Sequence, residues 1–344
     1  MSKKKALITG ITGQDGSLLA SNLLNDGFEV SGTFRRGSAN NLWRLEELGI
    51  LERLDLSEHT FGSDSTELAK ILRKNYEYVF HLAGDSFTQD SFRHPRRTLN
   101  TNLIGCLELM ENLLEYSSDS RTFIACSSEI FGSQPESIKF VNENSKRNPL
   151  NPYGVAHSAI LDLSRIFRKT YSQFISVGIL FNHESEYRGV QFLTRKLSKG
   201  LSSIKNGSNT VIELGNFDSS RDWGSAREFV EVFKKILDDS EPNDFIIATG
   251  QSVNVRQIIV MCCEALDINP EFHGEGVNEI CIDGKSGKTL IKSSPEFFRI
   301  TDTPCLLGDT SRIKDRVGWT AQVSLNSVIE KMCEYDLKES TKLG

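Results

Sequence analysis

The run Thr9-Gly10-Ile11-Thr12-Gly13-Gln14-Asp15-Gly16 sets three glycines at G-x-x-G-x-x-G spacing, directly after a short apolar run and at the start of a helical pattern. Glycines at such a turn permit a tight reversal, a close approach of backbone to a diphosphate, and close packing of helix on strand. The first N–H groups of the helix, and the positive end of its dipole, would face the phosphates. A structural glycine turn that binds nothing is the competing reading; the agreement of position, strand and helix favours a dinucleotide. About 20 residues on, where an acid would hold a ribose 2′-hydroxyl, Thr33-Phe34-Arg35-Arg36 carries two guanidinium groups and no acid. Arginine suits a 2′-phosphate through charge-assisted, often bidentate hydrogen bonds. The pair therefore points to NADP, with a solvated surface pair as the alternative. Two further blocks stand out, Cys126-Ser127-Ser128-Glu129-Ile130-Phe131-Gly132 and Pro152-Tyr153-Gly154-Val155-Ala156-His157. Tyr153 and His157 are four apart, hence on one face of a helix.

These residues need a frame to hold them. The first half of the chain alternates β-rich runs (Lys5–Thr9, Glu29–Phe34, Tyr78–Leu82, Thr122–Cys126, Ser176–Leu180) with helical patterns (Ser17–Asn25, Ser65–Asn75, Leu99–Tyr116, Tyr153 to about Tyr171). That alternation predicts an α/β fold, a Rossmann-type doubly wound parallel sheet with crossover helices. After about Phe181 the segments turn irregular and polar, notably from Glu271 to Ser294. A smaller, loop-rich C-terminal domain at the sheet's ligand edge is expected, interleaved because Ala226–Leu237 and Asp244–Ala248 read as a helix and strand of the first. The division expected is residues 1–181 plus about 214–248 for the cofactor domain, and about 182–213 and 249–344 for a domain binding the second ligand.

The chain has 344 residues, 38% of them hydrophobic and 25% charged, with a net charge of −6. This is enough apolar material for a sizeable core, and its acidity argues against a nucleic-acid binder. No apolar run approaches the roughly 20 residues that cross a bilayer, and the start is a poor secretory signal; a cytoplasmic location is expected. Seven cysteines without a Cys-x-x-Cys pair read as reduced thiols, with no metal site.

Taken together the motifs resemble the extended short-chain dehydrogenase/reductases, and among them the GDP-mannose 4,6-dehydratase family. The likeness runs over nearly the whole chain: Ala6 to Gly16, Arg35-Arg36, Ser127-Ser128-Glu129, Gly178-Ile-Leu-Phe-Asn-His-Glu-Ser185, Thr194-Arg-Lys196 and Arg221-Asp-Trp-Gly224. The resemblance implies a redox-neutral dehydration that yields a GDP-4-keto-6-deoxy sugar. Tyr153, as phenolate, would accept the O4 proton while NADP takes the C4 hydride. Glu129 would remove the C5 proton and assist loss of water from C6, Ser127 would hold O4, and the hydride would return to C6. It also implies cofactor contacts from Gly10, Thr12, Gly13, Gln14, Asp15, Gly16, Arg35, Arg36, Asp64, Leu82, Ala83, Tyr153 and His157. Substrate contacts would come from Ser86, Asn182, Arg188, Lys196, Arg221, Arg299 and Asp302. A homo-tetramer or homodimer is implied, with Arg35–Asn41 reaching a neighbour's cofactor.

The chain departs from the family pattern in several places. His157 stands where the superfamily motif Tyr-x-x-x-Lys has lysine, whose charge lowers the tyrosine pKa. The segment Phe61-Gly62-Ser63-Asp64-Ser65 is two residues shorter than its family counterpart, which weakens the correspondence of Asp64. Glu186-Tyr187, Ser225 and Ile300 replace family residues beside the cleft, so GDP-mannose, a GDP-hexosamine and a GDP-heptose are all admissible substrates. A 4-epimerase or 4-dehydrogenase, or an NADP-binding homologue impaired by His157, are the alternatives. Glu129 speaks against an epimerase, which needs no acid there.

Overall fold

The computed structural model describes residues 3–62, 66–297 and 305–342. Asp64, Arg299 and Asp302 lie outside the described residues. Two compact units emerge: residues 1–181, 226–247 and 308–320 form the first, and residues 182–225, 248–307 and 321–344 the second.

The first unit is built on seven parallel strands, β1 (Lys5–Thr9), β2 (Glu29–Phe34), β3 (Asp55–Glu58), β4 (Tyr78–His81), β5 (Arg121–Ser127), β6 (Ile175–Leu180) and β7 (Asp244–Ile247). Their order is β7-β6-β5-β4-β1-β2-β3. Helices α1 (Gln14–Asn25), α2 (Gly105–Tyr116), α3 (Pro152–Tyr171) and α4 (Ala226–Leu237) belong to the same unit. Strands covered on both faces must be apolar throughout, and all six residues of β6 are buried. The chain runs outward one way through β1, β2 and β3 and the other way from β4. The point of reversal therefore lies between β1 and β4, where open parallel sheets bind ligands at their carboxyl ends. Strand β3 escaped the sequence reading because Asp-Leu-Ser-Glu on an outer edge has none of its residues fully buried. The helix expected over Leu99–Tyr116 begins as a π-helical stretch, Leu99–Ile104, before α2.

The observed division corrects the expected one at two places. Residues 214–225 belong to the second unit, because Ser220–Ser225 pairs with Asn182–Glu184 and Ser252–Asn254. Residues 308–320 belong to the first: Arg312 donates to the Asp244 carbonyl at 3.1 Å, Arg316 pairs with Asp239 at 3.0 Å, and Trp319 packs edge-on against Phe229.

The second unit holds that three-stranded sheet and a four-stranded one ordered Pro270–His273, Ile280–Asp283, Thr289–Ser293, Ile212–Leu214. The polar stretch from Glu271 to Ser294 thus contributes three strands of the four-stranded sheet. Charged residues such as Glu271 and Lys292 stay exposed on strands of a sheet that also buries Cys281, Leu290 and Ile291, so composition alone hides these strands. Cys281, Leu290 and Ile291 join Leu197, Leu201, Ile258, Ile259, Cys262, Cys263, Ile329, Met332 and Cys333 in its core. All seven cysteines are free thiols, and only Cys305 is not buried.

His81 closes β4 inside the first core. The Thr9 hydroxyl accepts from the Leu82 and Ala83 N–H groups and can donate to His81 Nδ1 at 2.8 Å, which fits a neutral ring. Burial, then the neighbouring His157 and His59, push its pKa from 6.5 down to about 3. The unfolded chain therefore binds a proton near pH 6.5 that the folded chain refuses until about pH 3. The stability this contributes is whole above pH 6.5 and is lost as pH falls toward 3. Between pH 7 and pH 5 the loss should be about 2 kcal/mol. Urea titrations at both pH values should show it in the natural chain and a flatter response in His81→Asn; equal slopes would contradict the assignment.

Candidate active site

The glycine turn between β1 and α1 has no room for side chains. A Cβ on Gly10 would lie 2.8 Å from the Ala83 backbone, and one on Gly16 only 2.5 Å from the Gly10 carbonyl oxygen. Gly10 also has φ +71°, a conformation that favours glycine. The loop is braced from below by Arg44, a buried residue missed in the sequence, whose Nη1 donates to the Thr12 carbonyl at 3.1 Å. Thr12 and Gln14 are buried, and Gln14 donates to Asp15 Oδ1 at 3.1 Å. The first-turn N–H groups of α1 have no acceptor within the helix. This is a backbone cradle with a local positive end.

Arg35 and Arg36 follow β2 directly and both are exposed. Arg35 Nη1 is 3.0 Å from Asp85 Oδ1, and Arg97 Nε is 2.9 Å from Asp85 Oδ2. Leu82 and Ala83, at the end of β4, flank the cradle through the Gly10 contact and Thr9 hydroxyl. Ser86 is exposed, one residue beyond Asp85.

Ser127 ends β5, and its Oγ accepts the Glu129 N–H at 3.3 Å, capping the short turn Ser128–Ile130. Glu129 Oε2 accepts from Asn151 Nδ2 at 2.8 Å, while Asn151 Oδ1 accepts the Gly154 N–H at 2.7 Å. One amide thus caps α3 and fixes the carboxylate. Asn151 was not singled out, although Asn before Pro152 is a helix-start signature. Gly154 allows α3 to approach this turn: a Cβ there would lie 2.6 Å from the Glu129 carbonyl oxygen. The first two turns of α3 carry Tyr153 and His157, with ring centroids 4.4 Å apart and nearly edge to face. His157 Nδ1 is buried and has no hydrogen-bond partner. Burial pushes its pKa from 6.5 down to about 4, so the ring is neutral at pH 7. The structure therefore gathers Ser127, Glu129, Tyr153 and His157 around the carboxyl end of β5 and the start of α3.

In the second unit, Asn182 and Arg221 lie on neighbouring strands of one sheet, with Asn182 opposite Trp223. Arg221 Nη1 donates to the Ser220 carbonyl at 2.6 Å. Arg188 stacks its guanidinium 3.8 Å over the Phe192 ring and sits 3.4 Å from Glu184 Oε2. Lys196 donates to the Glu213 carbonyl at 2.6 Å and lies 4.3 Å over Phe297; burial lowers its pKa, against the pull of Glu213 and Glu296. Arg188 and Lys196 are thus held over aromatic rings, Arg188 with a carboxylate partner and Lys196 on a backbone carbonyl.

Residues 7–332 match a family described as GDP-mannose 4,6 dehydratase. A GDP-mannose 4,6-dehydratase of Vibrio cholerae is 35% identical over 98% of this chain and 94% of its own length. A GDP-mannose 4,6 dehydratase of Drosophila melanogaster is 33% identical over 97% of this chain and 86% of its own. Among solved structures, a UDP-glucose 4-epimerase from Thermotoga maritima has a TM-score of 0.81 at 21% identity, covering 97% of this chain and 99% of that one. A dTDP-glucose 4,6-dehydratase from Bacillus anthracis has a TM-score of 0.80 at 14% identity, covering 98% of each. The structural likenesses show a shared fold; the family match and the sequence relatives go further, and place this chain in the GDP-mannose 4,6-dehydratase family.

Proposed function

We propose that the chain is a GDP-sugar 4,6-dehydratase that uses bound NADP and releases a GDP-4-keto-6-deoxy sugar. The observation that carries the reading is Glu129: within this family background, a carboxylate is clamped by Asn151 two residues beyond Ser127 and beside the helix of Tyr153. Oxidation and re-reduction at C4 alone would need no such base.

The residues fit a nicotinamide dinucleotide. Gly10 and Gly16 clear a path for a diphosphate, the α1 N-terminus supplies N–H donors, and Arg36 with Arg35 supplies cations for a 2′-phosphate. The orphaned Nδ1 of His157 is suited to a ribose hydroxyl. When bound, the cofactor supplies reversible hydride acceptance. Tyr153 takes the proton from sugar O4 while Ser127 holds that oxygen. The resulting 4-keto group acidifies C5–H. Glu129 takes the C5 proton and gives it to the departing C6 hydroxyl, so it ends as a carboxylate again. The proton held by Tyr153 replaces the one C5 lost, and the sum is loss of one water without an external reductant. In the second unit Asn182, Arg188, Lys196 and Arg221 are assigned to the GDP moiety, with Arg299 and Asp302 alongside them from sequence. Arginine and lysine donors suit a diphosphate.

Incubation with GDP-mannose, a GDP-N-acetylhexosamine and a GDP-heptose, followed by mass spectrometry, tests the assignment. Loss of one water from one of them supports it, and Glu129→Gln should slow that loss by about 10²–10⁴-fold. A keto product without water loss, accompanied by stoichiometric NADPH, would instead mark a 4-dehydrogenase. That reading is favoured by the neutral His157.

His157 brings no positive charge to Tyr153, so the phenol must ionise without the help lysine gives. His157→Lys should therefore shift the alkaline-rising limb of the rate profile to lower pH, by about one to three units. An unshifted limb would mean that Tyr153 is not the group being titrated.

A further inference from the structure

We propose that Asp85 is a specificity-determining residue that competes with the cofactor's phosphates for Arg35 and thereby weakens discrimination between NADP and NAD. The proposal rests on the dinucleotide reading above.

Asp85 is built as a fixed acceptor. Its backbone N–H donates to Asn102 Oδ1 at 2.8 Å and its carbonyl accepts from Asn102 Nδ2 at 3.0 Å. Asn102 is itself buried, within the π-helical stretch Leu99–Ile104. Local π-helical geometry frequently marks functional sites. The Asp85 side chain is 10% exposed, whereas those of its partners Arg35 and Arg97 are 50% and 49% exposed. The carboxylate is thus the anchored member, and the two guanidiniums reach it on half-exposed side chains.

Topology gives this pair its meaning. Arg35 follows β2 and Asp85 follows β4, and β1 lies between those strands. Neighbouring strands stand about 4.8 Å apart, so the Arg35–Asp85 bridge crosses the carboxyl edge of β1, where the glycine turn starts. Held there, Arg35 is drawn toward β4 and away from the outer side of β2, where the ribose 2′-position is read. Arg36 is left as the cation on that side. A 2′-phosphate must then compete with a nearby carboxylate for Arg35, and a diphosphate approaching the glycine turn meets that carboxylate's negative charge.

The second arginine makes the exchange feasible. Arg97 holds the other carboxylate oxygen and also reaches Asp90 at 3.4 Å. If Arg35 leaves for a phosphate, Asp85 keeps one charged partner and is not left as a partly buried lone anion, which would be costly.

The test is equilibrium binding of NADP and NAD to the full chain, freed of copurified nucleotide with charcoal, followed by intrinsic fluorescence or calorimetry. In Asp85→Asn the ratio of the NAD to the NADP dissociation constant should rise about fivefold. In an Arg35→Ala background the same substitution should leave the ratio unchanged. Arg97→Met, which leaves Arg35 as the chief partner of Asp85, should lower the ratio, and serves if Asp85→Asn does not fold. An unchanged ratio in both single variants, or an equal rise without Arg35, overturns the proposal. A natural chain that binds neither dinucleotide overturns the cofactor reading, and this inference with it.

Discussion

Parallel alignment of the central strands governs everything functional in the first unit. When every strand points the same way, every turn from strand to helix falls on one edge, and the backbone groups those turns leave unpaired collect there. Reversal of strand order between β1 and β4 opens a crevice at that edge. The glycine turn, the Thr9 hydroxyl, the Arg35–Asp85–Arg97 group, Ser127 and Glu129 are brought near it by direction alone, although up to about 120 residues separate them in the chain. Side-chain chemistry then refines what the topology has assembled.

Electrostatics within this edge is unusual because charge is supplied sparingly. In the proposed reading the helix end and the arginine pair serve the phosphates, whereas burial keeps the His81 and His157 imidazoles neutral. A lysine at position 157 would have put a permanent cation beside the phenol. The histidine instead leaves a buried ring nitrogen lacking a partner. Glu129, by contrast, is tightly held, so the carboxylate step has the firmer geometric support.

Much of this was readable beforehand, and the failures have physical causes. Strands β1 and β2 and the glycine turn were legible because apolar runs and glycines leave local marks that no tertiary contact need supply. Ser127, Glu129 and Tyr153 were singled out only through family blocks, since a hydroxyl, a carboxylate and a phenol carry no local signature of a catalytic role; what the fold adds is that they lie together. Strand β3 was hidden by its edge position, and the strands between Pro270 and Ser293 by their exposed polar faces. Asn151 and Arg44 were hidden for a different reason. Their work is done on backbone and side-chain atoms that are distant or ambiguous in sequence, and only the folded arrangement shows a guanidinium beneath Thr12 or an amide facing two ways.

Asn151 also ties two histories together. Because a single amide both caps the helix and holds the Glu129 carboxylate, chain stability and, in the proposed reaction, turnover would both press on the same position. A drift to aspartate would still begin the helix yet surrender the donor to Glu129, and serine would cap it on a side chain too short to span both partners; a drift to glutamine would lengthen the reach and spoil the cap. Few neutral steps lead away from asparagine here, so a lineage that abandoned the dehydration could register the loss first as relaxed choice at 151, before Glu129 itself decayed.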